Sequence, residues 1–220
     1  MLGTVYVDFD GTIAPSDPTD TVFDRFCSPA WRQIEREWQQ GLRTGRNCMA
    51  SQVELLRATP EALDRLLCTF SIDPQFPRFV DLCRRWRLQV VVLSDGMDRV
   101  VRHVLREAGM DLPFFANCLQ WLGGERWKLS FPFARGSCAA LLGNCKCGHR
   151  REGRDGPLAI VVGDGRSDFC VARSAQLVLA KGQLAAHCRL QNIPHRWIED
   201  FSDATRVLAG WLAGNARKSA

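Results

Sequence analysis

The sequence lacks the features that mark secreted and membrane proteins. No apolar stretch approaches the roughly 20 residues that a helix needs to span a bilayer. The first residues, 1–7, form a short strand-like run without the cationic leader of a secretion signal. We therefore expect no membrane anchor and a cytoplasmic location. Disulfides persist mainly in oxidising compartments, so the ten cysteines are expected to be reduced and mostly buried.

Lysine is scarce, with four residues, and arginine supplies most of the positive charge. The arginines are scattered and usually stand beside acids, so the formal net charge of +5 indicates solvated helix faces, not a nucleic-acid surface. We expect no nucleic-acid partner, whereas a mildly positive chain suits a small anionic substrate. The 220 residues can form one α/β domain with a modest insertion, or two small domains.

Short apolar runs rich in β-branched residues predict the strands of a buried parallel sheet. The runs are 4–7, 88–93, 158–162 and 177–180. Amphipathic patterns predict helices over 79–86 and 100–108, and Gly109 stands where the second helix should stop. A strand followed by a helix, repeated along the chain, predicts a doubly wound α/β sheet.

Two segments interrupt this alternation. Residues 14–76 have helical patterns throughout and predict a small helical cap inserted after the first strand, which leaves a core of residues 1–13 and 77–220. Residues 117–131 alternate apolar and polar side chains on both sides of a glycine pair at 123–124. This pattern predicts a β-hairpin with a two-residue turn.

Acidic and hydroxyl residues directly follow three of the predicted strands. The segments are Asp8-Phe9-Asp10-Gly11-Thr12, Ser94-Asp95-Gly96 and Gly163-Asp164-Gly165-Arg166-Ser167-Asp168. Because the carboxyl ends of parallel strands share one edge of the sheet, we expect these residues to meet in one crevice. Several carboxylates repel one another unless a hard cation neutralises them, and oxygen-only ligands favour Mg²⁺. The sequence therefore predicts a magnesium site that can bind a substrate phosphate.

The same residues can carry phosphoryl transfer. A carboxylate can attack phosphorus and form an acyl phosphate. Asp8 and Asp10 are two positions apart on an extended chain and point to the same side, so Asp10 could act as general acid and then as base. Ser94 can donate to a phosphate oxygen, and the N–H groups around Gly96, which we expect at a helix start, favour an anion. A lysine would complete the phosphate site.

These segments, in this order, resemble the motifs of the haloacid dehalogenase-like superfamily. Asp8–Thr12 resembles the first motif, Ser94–Gly96 the second and Gly163–Asp168 the fourth. Lys146 lies between the last two, where that superfamily carries its phosphate-binding lysine. The resemblance implies a Mg²⁺-dependent phosphatase that acts on a small phosphorylated metabolite through an aspartyl-phosphate intermediate. It also implies the α/β core with a helical cap.

The resemblance assigns the chemical roles to the first motif. Asp8 would be the nucleophile and a magnesium ligand. Asp10 would be the general acid and base, with its backbone carbonyl on the metal. The dehalogenases of the superfamily do not use an acid/base at this position, whereas its phosphatases and mutases do. A phosphotransferase or mutase with the same residues, and a non-catalytic phosphate sensor, are the alternative functions.

The remaining motifs would bind the phosphoryl group and the metal. By resemblance, Ser94, Gly96 and Lys146 would contact the phosphoryl group, and Asp164 and Asp168 would complete the magnesium site. The residues that follow Lys146 are polar and include two glycines, so this lysine is expected on a loop instead of a helix with an apolar face. The other lysines that could take its place are at positions 128 and 181.

A finer resemblance concerns the subclass. The insertion lies between the first and second motifs, the position of the small helical cap of phosphoserine phosphatases. Four stretches are more similar to the 2-hydroxy-3-keto-5-methylthiopentenyl-1-phosphate phosphatases of methionine salvage: Asp8–Ile13, Ser94–Asp98, Cys145-Lys146 and Asn192–His195. The substrate would then belong to one of these classes, and a monomer or a homodimer is expected.

Two further clusters each allow two interpretations. One cluster consists of Cys138, Cys145, Cys147 and His149. It could bind zinc, although its spacing is not that of a standard zinc motif, or its cysteines could be reduced thiols around the lysine loop. The other cluster consists of Asp17, Thr19, Asp20 and Arg25. These residues could contact the substrate from the helical insertion, or Thr19 or Asp20 could be the N-cap of a helix over 21–26.

Overall fold

The computed structural model describes residues 3–150 and 157–216. Within these ranges, seven strands form one sheet: β1 (Gly3–Asp8), β2 (Leu88–Met97), β3 (Phe114–Trp121), β4 (Trp127–Ser130), β5 (Leu158–Gly163), β6 (Leu177–Ala180) and β7 (Arg196–Trp197). Their order in the sheet is β4-β3-β2-β1-β5-β6-β7, and every neighbouring pair is parallel except β3 with β4. Each of the four predicted apolar runs is a strand of this sheet.

Helices connect the strands. In the described residues they are α1 (Pro18–Phe26), α2 (Trp31–Gln39), α3 (Gly45–Glu54), α4 (Pro60–Leu67), α5 (Phe76–Arg85), α6 (Asp98–Glu107), α7 (Phe169–Ala172), α8 (Gly182–Leu190) and α9 (Phe201–Ala216). The two predicted amphipathic segments fall in α5 and α6, and Gly109 follows α6 with a φ of +66°. None of these helices is long and apolar enough to cross a bilayer.

Helices cover both faces of the sheet, which confirms the predicted doubly wound α/β fold. On one face, α5, α6 and α9 pack on strand side chains such as Val5, Val92 and Ile160. On the other face, α7 and α8 pack on Val161 and Val178. The chain passes from β1 to β2 over the first face, and from β5 to β6 over the second. The crevice where β1, β2 and β5 end is therefore the switch point at which ligands bind in such sheets.

The insertion, which we define as α1–α4, lies between β1 and α5. Its buried apolar side chains, among them Val22, Leu56 and Leu63, belong to the same hydrophobic cluster as those of the sheet. The indole N–H of Trp127 in β4 donates to the carbonyl of Ala58 in the insertion at 2.8 Å. The insertion is thus packed against the hairpin, and the division into a cap of residues 14–76 and a core stays a prediction.

The predicted hairpin is present as β3 and β4, but its turn differs from the expectation. Trp121 pairs with Trp127, and the N–H of Leu122 donates to the carbonyl of Arg126 at 2.9 Å. Three residues, 123–125, therefore form the turn, and the prediction of a two-residue turn was wrong. Both glycines adopt the positive φ for which glycine is favoured, and Glu125 is the third residue of the loop.

Candidate active site

A pocket of about 380 Å³ lies in the crevice at the switch point, between the strand ends and the insertion. We call its base the floor; it consists of the seven predicted site residues, which the structure brings together: Asp8, Asp10, Ser94, Gly96, Lys146, Asp164 and Asp168. We call the facing surface of the insertion the wall; its main members are Asp17, Asp20, Glu35 and Trp38. The sheet thus supplies one side of the pocket and the helices supply the other.

Lys146 lies at the centre of the floor. Its ammonium group contacts Asp8 Oδ1 at 2.5 Å and Asp168 Oδ1 at 2.7 Å, and all three side chains are buried. Burial alone would lower the pKa of Lys146, but the charges of Asp168 and Asp8 outweigh it and raise the pKa. This lysine is therefore a fixed cation between two carboxylates.

The carboxylates of the floor carry more negative charge than one lysine can balance. Carboxylate oxygens of Asp8, Asp164 and Asp168 lie within 4.8 Å of one another. Burial, followed by the charge of Asp168, raises the pKa of Asp8 well above its ordinary value, and burial also raises that of Asp164. Three hard oxygen donors with excess charge are the donor set that Mg²⁺ prefers, so these residues fit that ion.

Asp10 is held apart from this group of three. Its Oδ1 accepts a hydrogen bond from the backbone N–H of Thr19 at 3.1 Å, and its Oδ2 accepts one from the Ser94 hydroxyl at 3.1 Å. Burial raises the pKa of Asp10. A carboxyl group that keeps its proton more readily than usual, with both oxygens oriented, suits acid and base chemistry.

The end of β2 corrects one expectation about Gly96. Met97 pairs with Asn117 of β3, so the backbone stays extended past the second motif, and α6 begins only at Asp98. Gly96 therefore does not start a helix, and its N–H donates to Ser94 Oγ at 2.9 Å. A Cβ at this position would lie 2.5 Å from the Thr19 hydroxyl oxygen and 2.8 Å from a carboxylate oxygen of Asp10. Glycine is required here because the floor and the insertion meet at its backbone.

Asn144, which the sequence analysis did not identify, positions the lysine. Its side-chain amide donates to the carbonyls of Ser94 and Phe115, and its backbone N–H donates to Asp95 Oδ1 at 2.7 Å. These bonds connect the 3₁₀ turn that begins at Lys146 to the end of β2 and the start of β3. An asparagine two residues before a lysine carries no motif by itself, so only the fold reveals this role.

Thr12 and Thr19 were also missed as contacts of the floor. The Thr12 hydroxyl donates to Asp164 Oδ1 at 2.6 Å, and Thr19 reaches Asp10 through its backbone. Two other lysines were considered as substitutes for Lys146. Lys128 is exposed on β4. Lys181 stands at the start of α8, and its charge lowers the pKa of Asp164 by less than burial raises it. The floor lysine is therefore Lys146, which begins a short 3₁₀ turn where its polar surroundings predicted a loop.

The wall is acidic and comes from α1 and α2. Asp17 caps α1, because its side chain accepts the N–H of Asp20 at 2.8 Å, so the expectation of a cap at Thr19 or Asp20 was wrong. The proline at N1 starts the helix earlier than the sequence pattern suggested. Burial, with the nearby charge of Glu35, raises the pKa of Asp20 to about 6. Arg25 is exposed on α1.

Comparison with known proteins agrees with the order of the motifs. A sequence model of haloacid dehalogenase-like hydrolases matches residues 5–173, which include every residue of the floor. The chain belongs to the haloacid dehalogenase-like hydrolase family. Its membership confirms the resemblance, and the floor is the place where the first, second and fourth motifs of this family member converge.

Relatives of this haloacid dehalogenase-like chain are named phosphatases. It is 26% identical to a 2-hydroxy-3-keto-5-methylthiopentenyl-1-phosphate phosphatase of Brevibacillus brevis, over 93% of this chain and 94% of that protein. It is 22% identical to a polyol phosphate phosphatase of Saccharomyces cerevisiae, over 97% and 95%. The prediction of a phosphatase of this family is therefore confirmed.

A solved structure shares the fold. A phosphoserine phosphatase, determined as an analogue of its phospho-aspartyl intermediate, superposes with a TM-score of 0.68 at 18% identity. The match covers 93% of this chain and 97% of the other. At this identity the likeness extends to the α/β architecture, including the length of chain that holds the insertion.

Proposed function

We propose that this chain hydrolyses a small phosphomonoester through an aspartyl-phosphate intermediate, with Asp8 as the nucleophile. The observation that carries the proposal is the buried contact of Lys146 with both Asp8 and Asp168, beside Asp10, at the base of a pocket of small-molecule size. Phosphoryl transfer depends mainly on positioning and on neutralising charge. A nucleophilic carboxylate held against a fixed ammonium group meets both needs.

In the first step, a carboxylate oxygen of Asp8 attacks phosphorus and the bond from phosphorus to the leaving oxygen breaks. Asp10 gives its proton to that oxygen, so an alcohol departs. Burial raises the pKa of Asp10, so this carboxyl group keeps its proton at higher pH than an exposed aspartate does. The hydrogen bonds from Thr19 and Ser94 orient the carboxyl group for the transfer.

In the second step, Asp10 acts as a base. It accepts a proton from a water molecule whose oxygen attacks phosphorus, and the bond from phosphorus to Asp8 breaks. Inorganic phosphate leaves, Asp8 is a carboxylate again, and Asp10 has regained its proton. One side chain thus serves as acid and then as base, as the symmetry of the two steps requires.

The remaining floor residues bind the phosphoryl group and the metal. Asp8, Asp164 and Asp168 would hold Mg²⁺, together with the backbone carbonyl of Asp10 that the family resemblance implies. When bound, Mg²⁺ neutralises negative charge on the phosphoryl group. Lys146 supplies a second positive charge there and the Ser94 hydroxyl a donor.

The insertion selects the substrate in this proposal. Residues 14–76 act as a cap over the core, and closing the cap excludes water that would compete with the substrate. The acidic wall favours hydroxyl or ammonium groups and disfavours a second anionic group, because Asp20 and Glu35 already repel each other. The substrates in the names of the relatives, a 2-hydroxy-3-keto phosphate and polyol phosphates, carry such hydroxyl groups.

The test combines a substrate panel with one variant. Phosphate release is measured with Mg²⁺ and with EDTA on the methionine-salvage enol-phosphate, polyol phosphates, phosphoserine and sugar bisphosphates. We expect Mg²⁺-dependent release from hydroxylated monophosphates and little from bisphosphates. Asp8→Asn should lower kcat by about 10⁴-fold or more while far-UV circular dichroism stays unchanged, and acid-quenched wild-type enzyme should carry phosphate on Asp8.

Other outcomes decide against the proposal. An Asp8→Asn variant that releases phosphate at the wild-type rate would exclude the aspartyl-phosphate route. Transfer of phosphate to an added alcohol, in preference to water, would indicate a phosphotransferase with the same residues. Magnesium binding without turnover on any compound would indicate a phosphate sensor.

A further inference from the structure

Four cysteine side chains meet behind the lysine turn, outside the floor. Cys138 follows β4, Cys145 and Cys147 flank Lys146, and Cys170 lies in α7. The sulfurs of Cys138, Cys147 and Cys170 all lie within 4.8 Å of one another. Cys145 Sγ is 3.3 Å from Cys147 Sγ but lies outside this group of three. All four thiols are unpaired by disulfides.

The spacing of these sulfurs suits a tetrahedral metal site. Zinc–thiolate bonds are about 2.3 Å long, so the sulfurs of a zinc tetrahedron lie about 3.8 Å apart. Cys147 Sγ is 3.6 Å from Cys138 Sγ, and Cys170 Sγ lies within 4.8 Å of both. A rotation of the Cys145 side chain, whose sulfur is 3.3 Å from Cys147 Sγ, would add the fourth thiolate. Four thiolates in a tetrahedral arrangement select zinc over the hard cations that carboxylates bind.

The surroundings meet two further requirements of a zinc site. A cavity of about 700 Å³ is lined by Cys138, Cys147 and Cys170, which gives an ion a route from solvent. Arg166 and Arg173 line the same cavity. A zinc ion with four thiolates carries a net charge of −2, and nearby guanidinium groups offset such a charge.

The sequence spacing alone did not reveal this cluster. The sequence pattern suggested His149 as a partner of Cys138, Cys145 and Cys147. In the structure, His149 Nε2 lies 2.6 Å from the side-chain oxygen of Asn144, and its ring packs on aromatic side chains. Cys170, 23 positions after Cys147, takes the place that the histidine was expected to fill. The fold brings it there because α7 packs against the lysine turn.

We propose that Cys138, Cys145, Cys147 and Cys170 bind one structural Zn²⁺ ion, separate from the Mg²⁺ site of the floor. Binding displaces the thiol protons to solvent and joins three segments of chain: the loop after β4, the lysine turn and α7. Since Cys147 follows Lys146 and Cys170 stands two residues after Asp168, the ion would fix the distance between the floor lysine and one of its carboxylate partners.

The test measures metal content and metal spectroscopy on the full chain. Protein expressed with added zinc, purified under reducing conditions and passed through EDTA-free gel filtration should contain about one zinc per chain. Reconstitution with Co²⁺ should give the sulfur-to-cobalt charge-transfer band and the intense visible bands of tetrahedral cobalt. Cys147→Ser and Cys170→Ser should each lower zinc content at least about tenfold.

Two control variants make the test specific. Cys68→Ser, at an exposed cysteine in another part of the chain, should keep full zinc content. Asp164→Asn should also keep it, which separates the thiolate site from zinc held by the carboxylates. Zinc content equal in Cys147→Ser and wild type, the absence of a thiolate–cobalt band in folded wild type, or a native disulfide among the four cysteines would each overturn the proposal. The wild-type spectrum decides even if a variant fails to fold.

Discussion

The floor and the wall of the pocket are both acidic, but they balance their charge in different ways. In the floor, Lys146 stands between Asp8 and Asp168 at hydrogen-bond distance from each. In the wall, burial raises the pKa of Asp20, the charge of Glu35 raises it further, and Arg32 offsets only part of this increase. The floor thus has a cation in direct contact with its carboxylates before any ligand arrives, whereas Asp20 and Glu35 form no salt bridge within the described residues.

This difference separates two tasks. A partly neutralised floor can accept a phosphoryl group whatever is attached to it, because the ammonium group is fixed by contacts inside the protein. An acidic wall gains most from a ligand that brings hydrogen-bond donors or positive charge. In the proposed function, residues at the strand ends therefore determine the reaction type, and residues on the helices of the insertion select the substrate.

The largest effect on activity and stability is expected when the cation of the floor is removed. Lys146→Met keeps the length of the side chain but leaves Asp8 and Asp168 buried without their partner. Breaking such a buried pair costs about 3–5 kcal/mol in the free energy of unfolding. Loss of the charge that stabilises phosphoryl transfer should lower kcat by about 10³-fold or more. Thermal unfolding and phosphate release measure the two effects.

Lys181→Met is the matched control for this variant. Lys181 stands at the start of α8, and its backbone N–H donates to the carbonyl of Gly163, the last residue of β5, at 3.1 Å. We expect a change in kcat below about tenfold, as for a charge that acts only at a distance. A larger loss from Lys181→Met than from Lys146→Met would mean that the roles of the two lysines are reversed.

A smaller effect is expected when Asp10 loses its acid function. Asp10→Asn should lower kcat for alkyl phosphates by about 10²–10⁴-fold, the usual contribution of a general acid. The loss should be much smaller for p-nitrophenyl phosphate, whose leaving group departs without a proton. Steady-state rates on the two substrate types at pH 7 give the comparison.

Asp95→Asn supplies the control for Asp10→Asn. Asp95 is a neighbouring carboxylate whose pKa burial raises to about 6. Its Oδ1 accepts from the backbone N–H of Asn144 and the side-chain amide of Asn117, and so holds the lysine turn. Its substitution should affect both substrate types equally. If Asp10→Asn also lowered both rates by the same factor, Asp10 would be a positioning residue and not the acid.

The sequence allowed the floor to be predicted because its residues follow strands directly. Once the four apolar runs were identified as parallel strands, the meeting of Asp8, Ser94 and Asp164 at one edge followed from sheet geometry. The order of the motifs then matched a known family, which added Lys146. Local pattern and global fold agree at these positions, so each could be inferred from the other.

The wall and the support of the floor could not be predicted in the same way. Asn144 acts through bonds to Ser94 and Phe115, which are 50 and 29 positions away in the chain. Cys170 joins the cysteine cluster only because α7 packs on the lysine turn. Glu35 reaches the pocket through the packing of α2 on its neighbours. Such contacts depend on tertiary packing, which no spacing in the sequence encodes.

The smallest predicted effect concerns the wall and its charge. Asp20→Asn removes a carboxylate whose folded pKa is about 6, compared with about 3.9 in an unfolded chain. The folded state therefore binds the proton more tightly, and the wild type loses stability as pH rises from about 4 to about 6. The variant does not have this loss, so it should become relatively more stable over that range.

Thermal unfolding in EDTA from pH 4 to pH 8 measures this difference. Asp20 is half-buried, so solvent screening should leave an effect of about 1 kcal/mol, or about 2–4 °C in melting temperature for a chain of this size. The gain should be absent at pH 4 and constant above about pH 7. Asp81→Asn, at an exposed aspartate outside the wall that pairs with Arg84 at 3.5 Å, should show no gain at any pH. A gain that is equal at pH 4 and pH 8 would mean that the substitution acts through packing, and that the wall carries no unbalanced charge for a substrate to offset.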